Sequence, residues 1–259
     1  MITSTANAKV KNIIQLCSKA KVRKEQNAYV VEGIRMFREA PRESILEIYM
    51  TEAICRKENL SGCFSWGIPT ELVSEDVMRH MSDTQTPQGI LCVLKKPDHD
   101  FDQKLAEGKG IWLILEDIQD PGNLGTILRT AEGAGVKGIV MSKGTVDIFN
   151  PKTIRSTMGS IYRVPFWYVT ELDYTIEKLA EVDIPTYAAH LNGKKYYDEY
   201  NYKNGCAFLI GNEGNGLREE TAGKAENLLK IPMEGQLESL NAAMAAGILM
   251  YEAKRQMRK

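Results

Sequence analysis

The sequence predicts an α/β protein built as two domains, the second of them around a parallel sheet. Two continuous apolar runs, residues 111–115 and 207–210, are typical of parallel strands buried on both faces. Between these runs, apolar residues recur at helical spacing over residues 124–131. Strands that alternate with helices favour a parallel sheet covered by helices. A polar stretch at residues 95–102 contains a proline and has no periodicity, so it separates this part from the N-terminal part.

The N-terminal part predicts shorter elements in a compact α/β unit. Apolar residues recur at helical spacing over residues 7–21, with lysines on the other face, which predicts a first helix. Ser74 is followed by Glu75 and Asp76 and therefore predicts the N-cap of a short helix. The predicted elements of this part are strands at residues 29–31, 45–49 and 89–94 and helices at residues 7–21, from Ile34 to Pro41 and from Ser74 to Met81.

The second part predicts longer elements, and the domain boundaries follow from them. Its first helix begins near Leu124 and ends at Gly133 and Gly135, because glycine favours helix termination. Its last helix begins near Ser239, a residue type that caps helices well, and has an unusually small-sided body of alanines and glycine. Further strands are predicted at residues 138–141 and 228–231. The predicted division is a first domain at residues 1–96, a linker at 97–108 and a second domain at 109–259.

Composition excludes several classes of protein. The chain has 259 residues with 33 basic and 34 acidic side chains, which is an ordinary globular composition. No apolar run approaches the roughly 20 residues that span a bilayer, so no membrane segment is expected. The five cysteines are widely spaced without a CxxC motif, and the three histidines are unpaired. We therefore expect free thiols, a reducing cytoplasmic location and no metal site.

Charge is distributed unevenly along the chain. Basic residues outnumber acidic ones between Met1 and Ala40, and the last six residues contain four cations and no acid. Such patches are compatible with a polyanionic partner. A solvated helix face and a frayed C-terminal tail explain them at least as well, so charge alone favours that interpretation over a polyanionic partner.

Three segments of the second part have the composition of ligand-binding loops. Residues 116–129 join a strand end, a tight turn and a helix start, and ligands of open α/β sheets bind at the carboxyl ends of strands. Residues 209–217 run from a buried strand into three glycines, in a spacing that matches neither GxGxxG nor a P-loop. Glu213 lies between these glycines and indicates a ligand with positive charge or hydroxyl groups rather than phosphates. Residues 231–241 lead into the last helix.

The order and spacing of these segments resemble the SpoU/TrmH family of RNA ribose 2′-O-methyltransferases, of the SPOUT class. The family's Asn-x-Gly-x-x-x-Arg motif corresponds to residues 123–129, its Gly-Asn-Glu-x-x-Gly loop to 211–216 and its Pro-Met-x(6)-Leu-Asn segment to 232–241. The basic first helix and Val31-Glu32-Gly33 resemble, more loosely, the family's ribosomal-protein-like substrate-binding domain.

The resemblance implies a fold, an enzyme activity and a cofactor. It implies a C-terminal parallel-sheet domain whose last segment is threaded through a loop as a deep trefoil knot, preceded by a smaller substrate-binding domain. It implies S-adenosylmethionine as methyl donor, ribosomal or transfer RNA as substrate, a homodimer and no metal. By the same resemblance, the cofactor-binding residues are Gly211, Asn212, Glu213, Gly216, Ile231, Met233 and Leu240.

The resemblance also assigns roles to the catalytic and RNA-binding residues. Arg129 is the catalytic arginine, and a guanidinium is so weak a base that positioning phosphate and stabilising an alkoxide suit it as well as taking a proton. Asn123 holds the turn of the first motif, and Glu213, Ser239 and Asn241 hold the two loops and the target ribose. The candidate phosphate contacts are Lys9, Lys11, Lys21, Arg23 and Lys24 in the first domain and Arg155 and Arg163 in the second.

Three other functions compete with this hypothesis. An RNA-binding protein of the same fold that has lost catalysis is disfavoured, because all three motifs are intact. A methyltransferase of the same fold that acts on a base is less favoured by the combination of Arg129, Ser239 and Asn241. A nucleotide- or dinucleotide-dependent enzyme is disfavoured, because GxGxxG and P-loop motifs are both missing.

Overall fold

A computed structural model describes residues 1–237 and 239–258. Contacts between residues divide the chain into two units. The first contains Met1–Asp98 and Asp147–Tyr162, and the second contains the remaining residues. Residues 147–162, which the sequence assigned to the second domain, thus make their contacts with the first unit. The division at residues 96, 97–108 and 109 stays a prediction.

The first unit is built on a four-stranded sheet with the strand order β1-β4-β2-β3. All the elements predicted for this part are present, and Ser74 caps α5 as expected, its Oγ accepting the Val77 N–H at 3.3 Å. The predicted first helix is divided in two at Lys19, where the backbone is extended. The elements of this part are α1 (Ala8–Ser18), α2 (Ala20–Glu25), β1 (Ala28–Glu32), α3 (Ile34–Glu39), β2 (Ile45–Met50), α4 (Glu52–Lys57), β3 (Thr70–Leu72), α5 (Glu75–Met81) and β4 (Ile90–Lys95).

The second unit is built on a seven-stranded sheet in which every neighbouring pair is parallel, as predicted. Its strand order is β7-β6-β5-β10-β8-β11-β9, and every residue of the adjacent strands β5 and β10 is buried. The remaining elements of the chain are α6 (Phe101–Ala106), β5 (Ile111–Leu115), α7 (Pro121–Ala134), β6 (Gly138–Ser142), α8 (Pro151–Thr157), β7 (Phe166–Val169), α9 (Asp173–Glu181), β8 (Thr186–Ala189), β9 (Lys195–Tyr196), β10 (Cys206–Ile210), α10 (Glu219–Lys224), β11 (Asn227–Lys230) and α11 (Ala242–Met257).

Two helices of this unit begin elsewhere than the sequence predicted. Helix α7 begins at Pro121, three residues early, because Asp120 accepts the Asn123 N–H at 2.8 Å and proline suits the first helical position. Helix α11 begins at Ala242, and the prediction that Ser239 caps it is wrong. Asn241 is the cap, since its Oδ1 accepts the N–H groups of Ala243 and Met244 at 3.0 and 3.2 Å.

A helix, α6, lies inside the segment predicted as a linker. Asp100 caps it by accepting the Gln103 N–H at 2.9 Å. Phe101 and Leu105 pack against the core of the second unit, where the Phe101 ring meets Trp112 edge to face. The polar composition of residues 95–102 concealed this helix, because its buried Leu105 and partly buried Phe101 are separated by hydrophilic residues.

Helix α11 packs against α7 and against the central strands β10 and β5. Its buried side is formed mainly by alanines, so the helix axis lies close to the sheet. Because all seven strands point the same way, the loops that follow β5, β8, β10 and β11 leave the same edge of the sheet. Within the described ranges no helix is long and apolar enough to cross a membrane, and no three His, Cys, Asp or Glu side chains are grouped to hold a metal ion.

Candidate active site

A cavity of about 270 Å³ opens at this edge of the sheet, between the loops that follow β8, β10 and β11. Its floor is apolar and includes Ile210, Leu217 and Leu229, and α11 closes one side with Ala242 and Ala245. Adenosine-like ligands need such an apolar slot with backbone donors and acceptors around it. All seven residues expected to bind the cofactor line this one cavity, namely Gly211, Asn212, Glu213, Gly216, Ile231, Met233 and Leu240.

The loop after β10 is closed on itself. Asn212 and Gly216 exchange two backbone hydrogen bonds of 3.0 and 2.9 Å, and the Asn212 Oδ1 accepts the N–H groups of Gly214 and Asn215. The other end of the same amide, Nδ2, donates to the Asp117 carbonyl at 2.8 Å. The turn brings the backbone of Gly216 against Gly211, where an added Cβ would lie 2.1 Å from the Gly216 carbonyl carbon. Only glycine at position 211 permits this closure.

Substitution of Gly211 should therefore destroy the cavity. If the cavity binds S-adenosylmethionine as the sequence motifs imply, that cofactor should raise the melting temperature, and Gly211→Ala should abolish the rise. Overpacking of this kind costs about 1–3 kcal/mol and displaces the cavity wall. Thermal unfolding with and without the cofactor measures the effect. Gly214→Ala is the matched control, since its nearest atom lies at an ordinary 3.5 Å. A cofactor response in Gly211→Ala equal to that of Gly214→Ala would contradict the assignment.

The Glu213 carboxylate joins this loop to the start of α7. Its two oxygens accept the backbone N–H groups of Gln119 at 3.0 Å and Asp120 at 3.1 Å and the Asn123 Nδ2 at 2.8 Å. Partial burial opposes ionisation of Glu213, but the hydrogen bonds from Asn123, Gln119 and Asp120 outweigh it, so the pKa of this carboxyl is lowered. The sequence suggested that the Glu213 carboxylate would face a ligand. In the structure it accepts hydrogen bonds from the start of α7 instead.

Asn123 extends this connection to α11. Its Oδ1 accepts the Asn241 Nδ2 at 2.8 Å, while the Asn241 Oδ1 caps α11. Glu213, Asn123 and Asn241, one from each motif, form a continuous chain of hydrogen bonds that starts at Glu213 in the cavity wall. We call these three residues the Asn–Glu relay. They hold the loop after β10 and the starts of two helices in one arrangement.

The other two residues expected to be catalytic lie outside the Asn–Glu relay. Ser239 lines the cavity and is exposed. Arg129 lies in the middle of α7 on its exposed side and makes no hydrogen bond or ion pair with residues 1–237 or 239–258. Its guanidinium is free to bind an anion.

Sequence reasoning missed a buried carboxylate that supports the loop after β10. Glu116 is 1% exposed and accepts the backbone N–H of Arg218 at 2.7 Å, the Arg218 Nε at 2.9 Å and the Thr221 hydroxyl. The same arginine reaches Asp117 at 3.5 Å. An acidic residue directly after a buried apolar strand was the available signal. Glu116 fixes the end of the glycine loop where it enters α10.

Sequence reasoning also missed one wall of the cavity. Ala189, His190 and Leu191 line it from the end of β8, a four-residue strand that no periodicity predicted. The His190 Nδ1 accepts the Asn192 N–H at 3.3 Å, and its Nε2 lies 3.4 Å from a Glu219 oxygen. Lys230, at the end of β11, completes this side and lies over the Tyr196 ring.

Most cations predicted to bind RNA in the first unit are exposed. Lys11 and Lys24 have no ion-pair partner in the described part of the chain. Lys21 lies 3.8 Å from Glu25 and is highly exposed. Lys9 is paired with Glu71 at 2.7 Å, and that hydrogen bond raises the pKa of the Lys9 ammonium. Lys11, Lys21 and Lys24 therefore offer the least compensated positive charge.

Arg23 does not have the accessibility that the prediction requires. Its side chain is 4% exposed and pairs with Asp147 at 2.7 Å, and its Nη1 donates to the carbonyls of Leu16 and Cys17. All its directional contacts face protein, so the proposed phosphate contact at Arg23 was wrong. Arg155 pairs with Asp83 and Arg163 with Glu132, which leaves both partly exposed but electrically balanced.

Comparisons with known proteins match both parts of the chain. The profile of the SpoU rRNA Methylase family matches residues 110–251, and that of the MRM3-like substrate binding domain matches residues 7–92. The 23S rRNA (guanosine(2553)-2′-O)-methyltransferase RlmP of Bacillus subtilis is 35% identical over 254 residues, covering 98% of each chain.

Solved structures agree with these matches. An AdoMet-bound rRNA methyltransferase from Sinorhizobium meliloti superposes with a TM-score of 0.88 and 30% identity, covering 100% of this chain and 98% of the other. A structure described as giving insights into the 2-OH methylation of C/U34 on tRNA superposes with a TM-score of 0.53 and 29% identity, covering 57% of this chain and 97% of that chain. That protein has a counterpart for only part of this chain.

Proposed function

Because this chain belongs to the SpoU rRNA methylase family, we propose that it transfers a methyl group from S-adenosylmethionine to a ribose 2′-hydroxyl of ribosomal RNA. The observation that carries the proposal is the cavity beside the Asn–Glu relay. One residue from each of the three motifs enters that relay. Residues of the second and third motifs, namely Gly211, Asn212, Gly216, Met233 and Leu240, line the cavity. The chain is an S-adenosylmethionine-dependent RNA methyltransferase.

The cavity fits the cofactor. The loop backbone at Gly211 and Gly216 is exposed to it without intervening side chains, and the apolar floor suits an adenine ring. Ile231, Met233 and Leu240 would hold the cofactor from the segment before α11. When bound, S-adenosylmethionine supplies a methyl group on a positively charged sulfur. The Asn–Glu relay would hold the walls of the cavity in the arrangement that positions this methyl group. Such positioning lowers the entropic cost of reaching the transition state.

Arg129 supplies the charge that the reaction needs. A ribose hydroxyl is a poor nucleophile, and negative charge grows on its oxygen as the proton leaves. The free guanidinium of Arg129 binds the phosphate beside the target ribose and stabilises this charge. Ser239, exposed at the cavity, is placed to hydrogen-bond the ribose. These two roles are proposals, as are the cofactor contacts above.

Ribosomal RNA is favoured over transfer RNA by the first unit. The relative named for a 23S rRNA guanosine covers 98% of this chain, including the unit matched by a substrate binding domain. The neighbour described for tRNA covers 57% of this chain. A substrate-binding unit shared with the rRNA enzyme supports large-subunit ribosomal RNA as the substrate.

The test is transfer of labelled methyl to separate pools of ribosomal RNA and transfer RNA that lack the modification, followed by nucleoside analysis. We expect label in a 2′-O-methylated nucleoside of the ribosomal pool. Label in transfer RNA would overturn the substrate class, and label in a methylated base would overturn the ribose assignment. A cofactor-dependent thermal shift with no label in either pool would favour an RNA-binding protein that lacks activity.

We also propose that exposed lysines of the first unit contribute to RNA affinity. Lys11→Gln and Lys24→Gln should each reduce the dependence of log K on log salt concentration by about one unit, because each phosphate contact releases about one counterion. Filter binding at several salt concentrations measures this slope. Lys9→Gln is the control on the same helix and should change it less, since Glu71 already balances that charge. Equal slopes in all variants would remove this surface from RNA binding.

The chain forms a homodimer through the exposed sides of α7 and α11, in this proposal. Met244 and Tyr251 are 61% and 46% exposed on α11, where the Tyr251 hydroxyl approaches Gly133 of α7 and Gly247 approaches Thr130. An interface on this surface would bring Arg129 beside the partner subunit. Met244→Glu should convert the dimer to a monomer in light-scattering measurements, whereas Leu46→Glu in the first unit should not. A monomeric wild-type chain would contradict the proposal.

Two further parts of the proposal concern the path of the chain and its location. A trefoil knot is supported by α11 packing on β5 and β10 and by the Asn241–Asn123 hydrogen bond, which hold the last segment over the carboxyl ends of these strands. A cytoplasmic location is supported by an RNA substrate and by five cysteines that are all free thiols.

A further inference from the structure

A second cavity, of about 330 Å³, lies entirely within the first unit. Its floor is formed by the side chains of Phe37, Ile45, Leu60 and Cys63, each at most 8% exposed. This volume falls at the lower end of the range of small-ligand sites. We call it the Trp66 cleft, and none of the motifs discussed above lies in it.

An aromatic and cationic stack forms one side of the Trp66 cleft. The Trp66 ring lies parallel to Phe37, with an interplanar angle of 13° and centroids 5.9 Å apart. The Arg42 Cζ lies over the indole, 4.2 Å from its centroid. Because the guanidinium lies over the indole and makes no ion pair in the described residues, its N–H donors are left to a ligand.

Arg42 differs from the cations around it. Arg38 is paired with Glu58 at 2.7 Å and Arg56 with Glu52 at 2.9 Å. Arg42 is exposed and has no carboxylate partner among residues 1–237 and 239–258. It is therefore an oriented guanidinium, held by stacking and available to an anion.

The rim of the Trp66 cleft also offers a free amide. Asn59 is exposed and has a positive φ of 54°, and its side chain makes no hydrogen bond within the part of the chain that the structure describes. An amide presents donors and an acceptor side by side, as the edge of a nucleobase does. The cleft thus combines a flat apolar slot, a stacking plane, one amide and one anion-binding group.

We propose that the Trp66 cleft binds an unpaired nucleobase of the RNA substrate, with the base stacked on the Arg42–Trp66 pair and the adjoining phosphate on Arg42. Unpaired bases are recognised on aromatic rings and guanidinium planes, whereas the lysines of this unit contact only phosphate. A base site in the same unit would add selection for single-stranded segments of the substrate. This inference rests on the proposed function, because it assigns part of the same substrate to the first unit.

Fluorescence of Trp66 tests the inference in the full-length chain. Of the three tryptophans, Trp112 is fully buried in the second unit and Trp167 is partly buried there. A short single-stranded oligoribonucleotide should quench the emission, and Trp66→Phe should remove the quenched component. An oligonucleotide with abasic positions, which keeps the phosphates, should not quench. Equal quenching by the abasic strand would overturn the inference.

Two binding variants complete the test. Trp66→Leu and Arg42→Gln should each raise the Kd for the oligoribonucleotide about tenfold, the range expected when one stacked base is lost. Arg56→Gln, which removes an exposed but paired guanidinium, should leave the Kd unchanged. Circular dichroism and the melting temperature of each variant, compared with the wild type, verify that the first unit is folded.

The outcomes distinguish failure of the nucleobase site from failure of the proposed methyltransferase function. Wild-type RNA binding and methyl transfer with neither quenching nor an effect of Arg42→Gln would overturn the Trp66 cleft and leave the proposed function intact. Absence of both RNA binding and methyl transfer in the wild-type chain, with all RNA pools supplied, would overturn the proposed function itself.

Discussion

Arg129→Ala should lower methyl transfer by about 100- to 1000-fold, the loss expected when a group that stabilises developing charge is removed. Arg129 is exposed on α7 and makes no contact with the Asn–Glu relay in the described residues, so its removal should leave the cavity unchanged. The cofactor-induced thermal shift of the variant should therefore equal that of the wild type. Single-turnover transfer of labelled methyl measures the chemical step separately from product release.

Two controls separate charge from other effects at this position. Arg129→Lys keeps one positive charge but not the planar fork, so it should recover part of the activity if Arg129 binds phosphate. Lys178→Ala removes a partly exposed cation on α9, whose partner is Glu181, and should have no effect. Loss of cofactor binding in Arg129→Ala would contradict the assigned role, because it would place Arg129 in the support of the cavity.

Local patterns were sufficient for most of the sheet and for the position of the cavity. The sequence identified the apolar runs of β5 and β10 and the glycines after β10. Full burial requires apolar residues, and the tight closure of the loop requires glycine. Strand β9 has only two residues, and β8 contains none of the long aliphatic side chains that marked the short strands predicted elsewhere. With β8 unrecognised, the cavity wall at His190 was unrecognised as well.

Residues whose role depends on distant partners were less predictable. Arg23 has the same local composition as the exposed lysines beside it, yet it is buried because Asp147, 124 positions away, supplies its counter-charge. Ser239 and Asn241 are both residue types that cap helices well. The choice of Asn241 follows from Asn123, which accepts its second hydrogen bond. Such pairings follow from the fold and leave little trace in a single sequence.

Glu213 illustrates how the same limitation affects function. Its position between glycines suggested a charge directed at a ligand. In the structure both carboxylate oxygens accept hydrogen bonds from the start of α7, where anions are favoured by the helix dipole and the free N–H groups. Glu213 does belong to the site, but its charge holds the loop after β10 in position. Asn123 connects it to α11 through the hydrogen bond with Asn241.

Asn123→Asp should disrupt the Asn–Glu relay by electrostatics with almost no change of shape. The substitution replaces the Nδ2 donor 2.8 Å from the Glu213 oxygen by a second carboxylate oxygen. At neutral pH we expect a loss of about 1–3 kcal/mol of stability, the cost of an unsatisfied and repelled group, and a large fall in methyl transfer. Urea unfolding and single-turnover transfer measure the two effects.

The stability of the wild type and that of Asn123→Asp should change with pH in opposite directions. In the wild type the pKa of Glu213 lies below its ordinary value of 4.5, so its contribution to stability is complete above that value and is lost only as pH falls through the lowered pKa. In Asn123→Asp the paired carboxylates raise the pKa of one member. A shared proton then restores a hydrogen bond, so the variant should recover stability relative to wild type as pH falls from about 8 toward about 5.

Asn241→Asp is the matched variant at the other end of the Asn–Glu relay. It loses the 2.8 Å bond to the Asn123 Oδ1, but its carboxylate still caps α11, where negative charge is favourable. We expect a smaller loss of stability and no recovery at low pH comparable with that of Asn123→Asp. If both variants lost the same stability and neither responded to acid, the charge of Glu213 would have no part in holding the loops, and the Asn–Glu relay would act through packing alone.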